Sequence, residues 1–311
     1  MFFKNIHLYR LHDTSVIEGL FMPAQFNDLE SVPLSGVQSK HMGWISPDGS
    51  HGSRLMVPIQ GHILLSALLQ EKILPSCVIN DEVNERVDAI EAAEGRSLRR
   101  RERLTIREQV YEELLPRAFV RRKRIDMWID TKTGIIAVNC ATATMAEKIL
   151  DLLRRTLGSL KVTPLAVNQR PTDVMTAWLK TGELPFGFKL GYAAKLSAPG
   201  GEDGTMSVKD FDLRGEEVMA ALEVGRLVTS IDIEIDSVAR LKLDESLTIK
   251  RLAFADALID EARDTEDEDD AAVRLEADFA IMANALAPTI QQIISIMGGE
   301  AQPATTTEQG E

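Results

Sequence analysis

LLPRAFVRRKR, Leu114–Arg124, is the stretch on which the reading of this chain turns. It sets five basic residues and one phenylalanine around Pro116, in a protein whose formal net charge is −13. A solvated helix face can carry such charges without purpose, but it does not usually hold a lone aromatic and a proline among them. Downstream, MWIDTKTGIIAVN, Met127–Asn139, reads as two strands joined by a short turn at Lys132–Gly134. Upstream, Val83, Val87 and Ile90 recur at helical spacing from about Ser76, with Asn80 and Asp81 as caps and Gly95 to bend or end the helix. Thr105 and Glu108 have the form of a capping box for a second helix, running through Val110 to Leu114 and stopping at Pro116. The segment 76–124 is therefore expected as a basic helical excursion out of a sheet.

Charge is distributed unevenly along the chain. Between residues 96 and 124 stand eleven basic residues, Arg96, Arg99, Arg100, Arg101, Arg103, Arg107, Arg117, Arg121, Arg122, Lys123 and Arg124, against four glutamates. That local balance of +7 leaves −20 for the rest of the chain, and DTEDEDD, Asp264–Asp270, holds six acids in seven residues. A polyanion responds to the local field rather than to the sum, so net acidity does not exclude a nucleic-acid partner. The bland alternative is a helix face whose arginines pair with Glu102, Glu108 and Glu112. Four acids cannot neutralise eleven bases, and guanidinium groups grip phosphate oxygens well, so phosphate contact is the stronger reading. Phe119 reads either as a core residue anchoring the return to the sheet or as a wedge or stacking platform on DNA.

The remaining elements give an α+β class. FKNIHLYRL and GHILLSALL are apolar runs of strand type, the second with a helical alternative, while TMAEKILDLLRRTLGSL is an amphipathic helix ended by Gly158. In IDIEID, Ile231, Ile233 and Ile235 alternate with acids, and VARLKLDESLTIKRLAF continues as a hairpin about Asp244–Ser246. A last helix, from about Arg274 to Met297, should kink at Pro288. At 311 residues the chain can hold two domains, expected at 1–162, with the excursion at 76–124, and at 163–300, before a disordered tail at 301–311.

Cys77 and Cys140 lack CxxC or metal spacing and are expected as buried free thiols in a reducing compartment. No leader-like segment opens the chain, and the apolar C-terminal segment is interrupted by Asp278, Asn284, Pro288 and two glutamines. A cytoplasmic protein without a membrane span is the expectation. His7, His12, His41, His51 and His62 have no metal-ligand spacing, DGSHGS (Asp48–Ser53) lacks a nucleophile elbow, and neither a Walker A loop nor GxGxxG occurs. No cofactor, metal or catalytic residue is therefore expected. The alternative is a magnesium-dependent nuclease using Asp126, Asp130 or the acidic run.

FKN and YRL (Phe3–Leu11), MGWISPDGSH (Met42–His51), EKILPS (Glu71–Ser76), LLPRAF (Leu114–Phe119), MWID with Gly134, LLRRTLGSL (Leu152–Leu160), KRLAF, EADFAIM (Glu276–Met282) and GGEAQ (Gly298–Gln302) follow one another nearly end to end. In this order they resemble the bacterial recombination-associated RdgC proteins. The resemblance implies a curved α+β subunit with antiparallel sheets and a protruding basic finger. Two such subunits would close as a ring-shaped homodimer around duplex DNA, with single-stranded DNA as a second form. It further implies little sequence preference, a nucleoid location and antagonism of a RecA-like recombinase. Arg117 and Phe119 would lie at the finger's tip near a subunit contact, and Lys209 and Arg226 would be basic positions facing the hole.

Overall fold

The computed structural model describes residues 2–17, 23–49, 54–198, 204–264 and 271–301. Residues 265–270 of the acidic run, the part of DGSHGS from Ser50 to Ser53, and the tail 302–311 lie outside the described residues. Chain order begins with β1 (Ile6–Leu11), α1 (Pro23–Asn27), β2 (Lys40–Ile45), β3 (Met56–Ile59) and β4 (His62–Ile73). There follow α2 (Ser76–Glu94), α3 (Arg100–Leu114), a 3-10 turn at Leu115–Arg117, β5 (Phe119–Asp130), β6 (Ile135–Asn139) and α4 (Ala143–Leu157). The chain continues through β7 (Val162–Pro164), α5 (Pro171–Thr181), β8 (Phe188–Ser197), β9 (Thr205–Val208) and α6 (Glu216–Glu223). It closes with β10 (Leu227–Ile235), β11 (Ala239–Asp244), β12 (Ile249–Phe254), α7 (Asp256–Asp264) and α8 (Ala271–Ile296).

The described strands form one twelve-stranded sheet in the order β2-β4-β5-β6-β1-β12-β11-β10-β8-β9, with β3 on β4 and β7 on β1. Its ladders are antiparallel, which makes the fold α+β as expected. GHILLSALL is strand and not helix: β4 pairs with β5 from His62↔Asp130 to Ile73↔Phe119. At β2, Gly43 permits close passage of another segment, since a Cβ there would meet Ser31 Cα at 2.7 Å.

Two cores lie on the two sides of the N-terminal half. On one side Leu65, Ala67, Leu69, Ile125, Met127 and Ile129 pack with Ile149, Leu152 and Leu153 of α4. On the other, Ile6, Leu8, Leu64, Trp128 and Ala137 join Ile231, Ile233, Leu241, Leu243 and the α8 residues Phe279, Met282, Leu286 and Ile290. The second core thus runs across the β1–β12 seam into the C-terminal half. By length and composition α8 is apolar enough to cross a membrane. Its burial in this core is sufficient reason for that apolarity, and it continues helical through Pro288. Cys140 is buried and its thiol is pushed up to about 11 by burial, whereas Cys77, expected inside, is exposed at the start of α2.

Candidate nucleic-acid interface

The basic segment is built on two different scaffolds. Its first part is an antiparallel helical pair, α2 and α3, with a small core of its own made by Ile79, Val83, Val87, Leu98, Ile106 and Val110. Helix α2 begins at Ser76 directly after the extended Pro75, so Asn80 and Asp81 stand within the helix rather than capping it. The start at Ser76 is the expected one, and only the capping role given to Asn80 and Asp81 is lost. Gly95 ends α2 at φ 65°, its N–H donating to Glu91 O at 2.9 Å, as its position suggested. Helix α3 starts at Arg100, not near Thr105: Glu102 accepts the Arg99 N–H at 2.7 Å, and Thr105 returns its hydroxyl to Arg101 O at 3.2 Å.

The arginines of this pair divide by partner. Arg96 reaches Glu102 at 2.7 Å and Glu94 at 2.8 Å, Arg103 reaches Glu91 at 2.9 Å, and Arg107 donates to Asn80 Oδ1 at 2.6 Å. With the Arg96 guanidinium and the Arg99 N–H beside it, the Glu102 carboxyl is held down at about 2. Two of the acids in this set, Glu91 and Glu94, belong to α2, so counting within residues 96–124 underestimates the neutralisation. Arg100, Arg101 and Arg117 have no carboxylate at ion-pair distance among the described residues. Arg100, Arg101, Arg103 and Arg107 line a groove of about 700 Å³ with Asn80, Asn84 and the exposed Leu104.

The second part is strand. Phe119–Arg124 was expected on the helical excursion, but β5 begins at Phe119. Pro116 stops the helix, and Phe119 and Val120 then pair with Ile73 and Lys72 of β4. Pairing with β6 covers only Asp126–Asp130, so the outer half of β5 has one neighbour and all of Phe119–Arg124 is exposed. Side chains alternate across the strand. Arg121 and Lys123 share the α4 side with Ile125, and Arg121 reaches Glu71 at 2.6 Å. Arg122 and Arg124 share the α8 side with Trp128, and Arg124 donates to Asp126 at 2.6 Å, to Pro47 O at 2.8 Å and to Ser66 Oγ at 3.1 Å. Arg122 and Lys123 have no carboxylate at ion-pair distance among the described residues. Phe119 is 85% exposed, which overturns its reading as a core anchor. With Arg117 it stands where the helical pair joins β4 and β5, the opposite end of that pair from the Gly95–Arg99 turn.

Lys209 and Arg226 lie elsewhere. Lys209 lines a concavity of about 250 Å³ on the open face of the C-terminal half, with Tyr192, Asp232, Arg240, Lys242 and Arg251. Burial pushes the Lys242 amine down and the Asp232 carboxyl up. Arg226 is half-buried, donates to Gly204 O at 3.1 Å and is not part of that lining. Sequence reasoning missed Arg240, Lys242 and Arg251, although ARLKLD carries a signal: Arg240 and Lys242 alternate with Leu241 and Leu243, which places both cations on the wet face. Lys209 lies just past β9, which six strands separate from β5, roughly 34 Å at ordinary strand spacing, whereas only two separate Arg251 on β12 from β5, roughly 14 Å. The C-terminal cations therefore spread across the sheet instead of forming one compact site with the β5 segment.

The carboxylates considered for magnesium have other partners. Asp126 accepts from Arg124 and from Ser66 Oγ at 2.7 Å. Asp130 accepts from Lys132 N at 3.0 Å and Thr133 Oγ1 at 2.6 Å, closing the β5–β6 turn. Buried His62 accepts the Trp128 Nε1–H at 3.2 Å, and burial lowers its pKa. Among the described residues no group of three or more His, Cys, Asp or Glu side chains is arranged to hold a metal ion.

A protein-family model described as "Putative exonuclease, RdgC" matches residues 1–300. Proteins named "Recombination-associated protein RdgC" from Salmonella paratyphi B, Salmonella typhimurium and Salmonella typhi are each 37% identical over 302 residues, covering 97% of this chain and 99% of theirs. With its sheet, its basic segment and LLPRAF in the order anticipated, this chain belongs to the RdgC family of recombination-associated proteins.

Proposed function

We propose that the protein binds DNA without sequence preference and without cutting it, encircles the duplex as a homodimeric ring in the nucleoid, and limits RecA-type filament assembly by occupying the DNA. The observation that carries the DNA reading is the exposed set Arg100, Arg101, Arg117, Arg122 and Lys123, none of which has a carboxylate at ion-pair distance among the described residues. Such cations displace condensed counterions from phosphates, a sequence-independent source of affinity. The ring and the recombinase antagonism rest on the family's resemblance, supported by exposed Phe119 as a surface for a second subunit.

The test is affinity for unrelated duplexes across a salt series. If roughly six phosphates are neutralised, log K falls with log salt at a slope of about −5. A flat response, or strong preference for one sequence, defeats the reading. Sedimentation without DNA should give a dimer, and excess protein added before the recombinase should slow filament growth in proportion to DNA covered. A nuclease is the second reading, favoured by the wording of the family description. Labelled linear and supercoiled DNA with magnesium separates the two: retarded but intact DNA supports the first, fragments the second.

A further inference from the structure

On the α4 side of the sheet, where β2, β4 and β5 extend beyond β6, four cations from three elements converge around one acid. Lys40 comes from β2, Arg121 and Lys123 from β5, and Lys148 from α4, while the acid is Glu71 of β4. The ladder sets this arrangement, because Lys40 pairs with Glu71 and Glu71 with Arg121 across the strands. Glu71 is committed to Arg121 at 2.6 Å, and Lys40 stands 3.9 Å from it. The neighbouring acid on α4, Glu147, is engaged with the Tyr9 hydroxyl. Among the described residues Glu71 is the one carboxylate at ion-pair distance from any member of this cluster, so three ammonium groups share a single acid that Arg121 already engages.

We propose that Lys40, Lys123 and Lys148, supported by Arg121, form a phosphate-binding site. The amines of Lys40 and Lys148 lie close enough to interact directly, and that contact, then desolvation, lowers the Lys148 pKa. Two ammonium groups cannot donate to each other, so an anion seated between them removes the conflict by accepting from both. The phosphate is either a phosphodiester of a nucleic-acid backbone or a small polyphosphate. In the first case the site deepens the DNA reading and adds Lys40 and Lys148, which lie outside the basic run. It also assigns Arg121 and Lys123 to a different sheet face from Arg122 and Arg124.

The test uses the full chain with ¹³C-dimethylated lysines, titrated with pyrophosphate at low salt and, separately, with a short duplex. Pyrophosphate should shift the Lys40 and Lys148 signals saturably and raise the Lys148 pKa. Lys148→Met and Lys40→Met should each weaken binding about tenfold, Lys148→Arg should retain it, and Lys209→Met should not alter it. Melting of each variant establishes that it folds. The same shifts with duplex identify the phosphodiester as the source; shifts with pyrophosphate alone identify a small polyphosphate and leave DNA binding to be judged by its salt slope. Unmoved Lys40 and Lys148 signals with both probes, or equal affinity in Lys40→Met and Lys148→Met, overturn the site.

Discussion

Phe119 keeps 85% of its surface in water, and Arg124, five residues along the same strand, is held by three oxygen acceptors. The two side chains should therefore fail differently when replaced. Phe119→Ser removes little burial within the subunit, so its melting as a dilute monomer should stay within about 0.5 kcal/mol of the parent. On the ring reading, the same change weakens subunit association and retention on closed circular DNA while leaving the salt slope unchanged. Sedimentation and circular-DNA retention measure this, and an early-melting variant would return Phe119 to a core role. Arg124→Ala strips the nearly buried Asp126 of its cation, a loss of about 1 to 3 kcal/mol, whereas Arg122→Ala should leave stability unaltered and lower DNA affinity. Chemical denaturation of the two variants side by side reads the difference. At the Gly95–Arg99 turn, Glu102 is depressed from 4.5 to about 2 by Arg96 and the Arg99 N–H. A depressed carboxyl stabilises the fold above its unfolded pKa, so this contribution is whole above about 4.5 and lost as pH falls through about 2. A carboxyl ¹³C titration of Glu102 should show its midpoint near 2, and a midpoint near 4.5 would remove the bond.

The paired helices α2 and α3 bury few residues of their own, and none of those in their core belongs to the two large cores. Elements with so little private burial open locally at lower free energy than the body of a protein. Val110→Ala, at a fully buried position, should cost about 1 to 3 kcal/mol in that pair. Hydrogen exchange should then accelerate across Ser76–Leu114 while β6 and β10 keep their protection; uniform acceleration would tie the helices to the main core. This element also marks the limits of what its residues disclose alone. Val83, Val87 and Gly95 announced α2 through spacing and a turn that only a left-handed residue makes easily. Arg121, Arg122 and Arg124 gave no strand signal, because a strand exposed on both faces has no apolar alternation, and its pairing with β4 is a non-local fact. Glu71 and Glu91 were invisible as partners because they lie outside the basic run, on β4 and α2. The Lys40–Lys148 cluster has no sequence signature either, since Lys40 and Lys148 lie more than a hundred residues apart.

Across the whole molecule, the expected division at residues 162 and 163 falls at the start of β7, which pairs with β1 inside the common sheet. The β1–β12 junction is itself slight, with Ile6↔Ile249 as its ladder pair and the Leu252 N–H donating to Lys4 O at 2.9 Å. What binds the halves is the core beneath: Phe279 of α8 is 1% exposed, in a cluster drawing on Leu64 and Trp128 from one half and Ile231 and Leu243 from the other. Arg54 to Glu276 at 2.7 Å and Asn284 to Gln60 at 3.2 Å add polar ties along the same helix. Phe279→Ala should cost about 3 to 5 kcal/mol. If the shared core makes the halves one cooperative unit, exchange protection in β6 and in β10 should fall together, and denaturation should stay a single transition with a lower midpoint. Loss of protection in β10 with β6 intact would mean that the halves unfold separately. A ring that keeps its outline on DNA needs the first result, because cations spread from β5 through β12 and β11 to Lys209 beyond β9 act on one duplex only when the body between them is rigid.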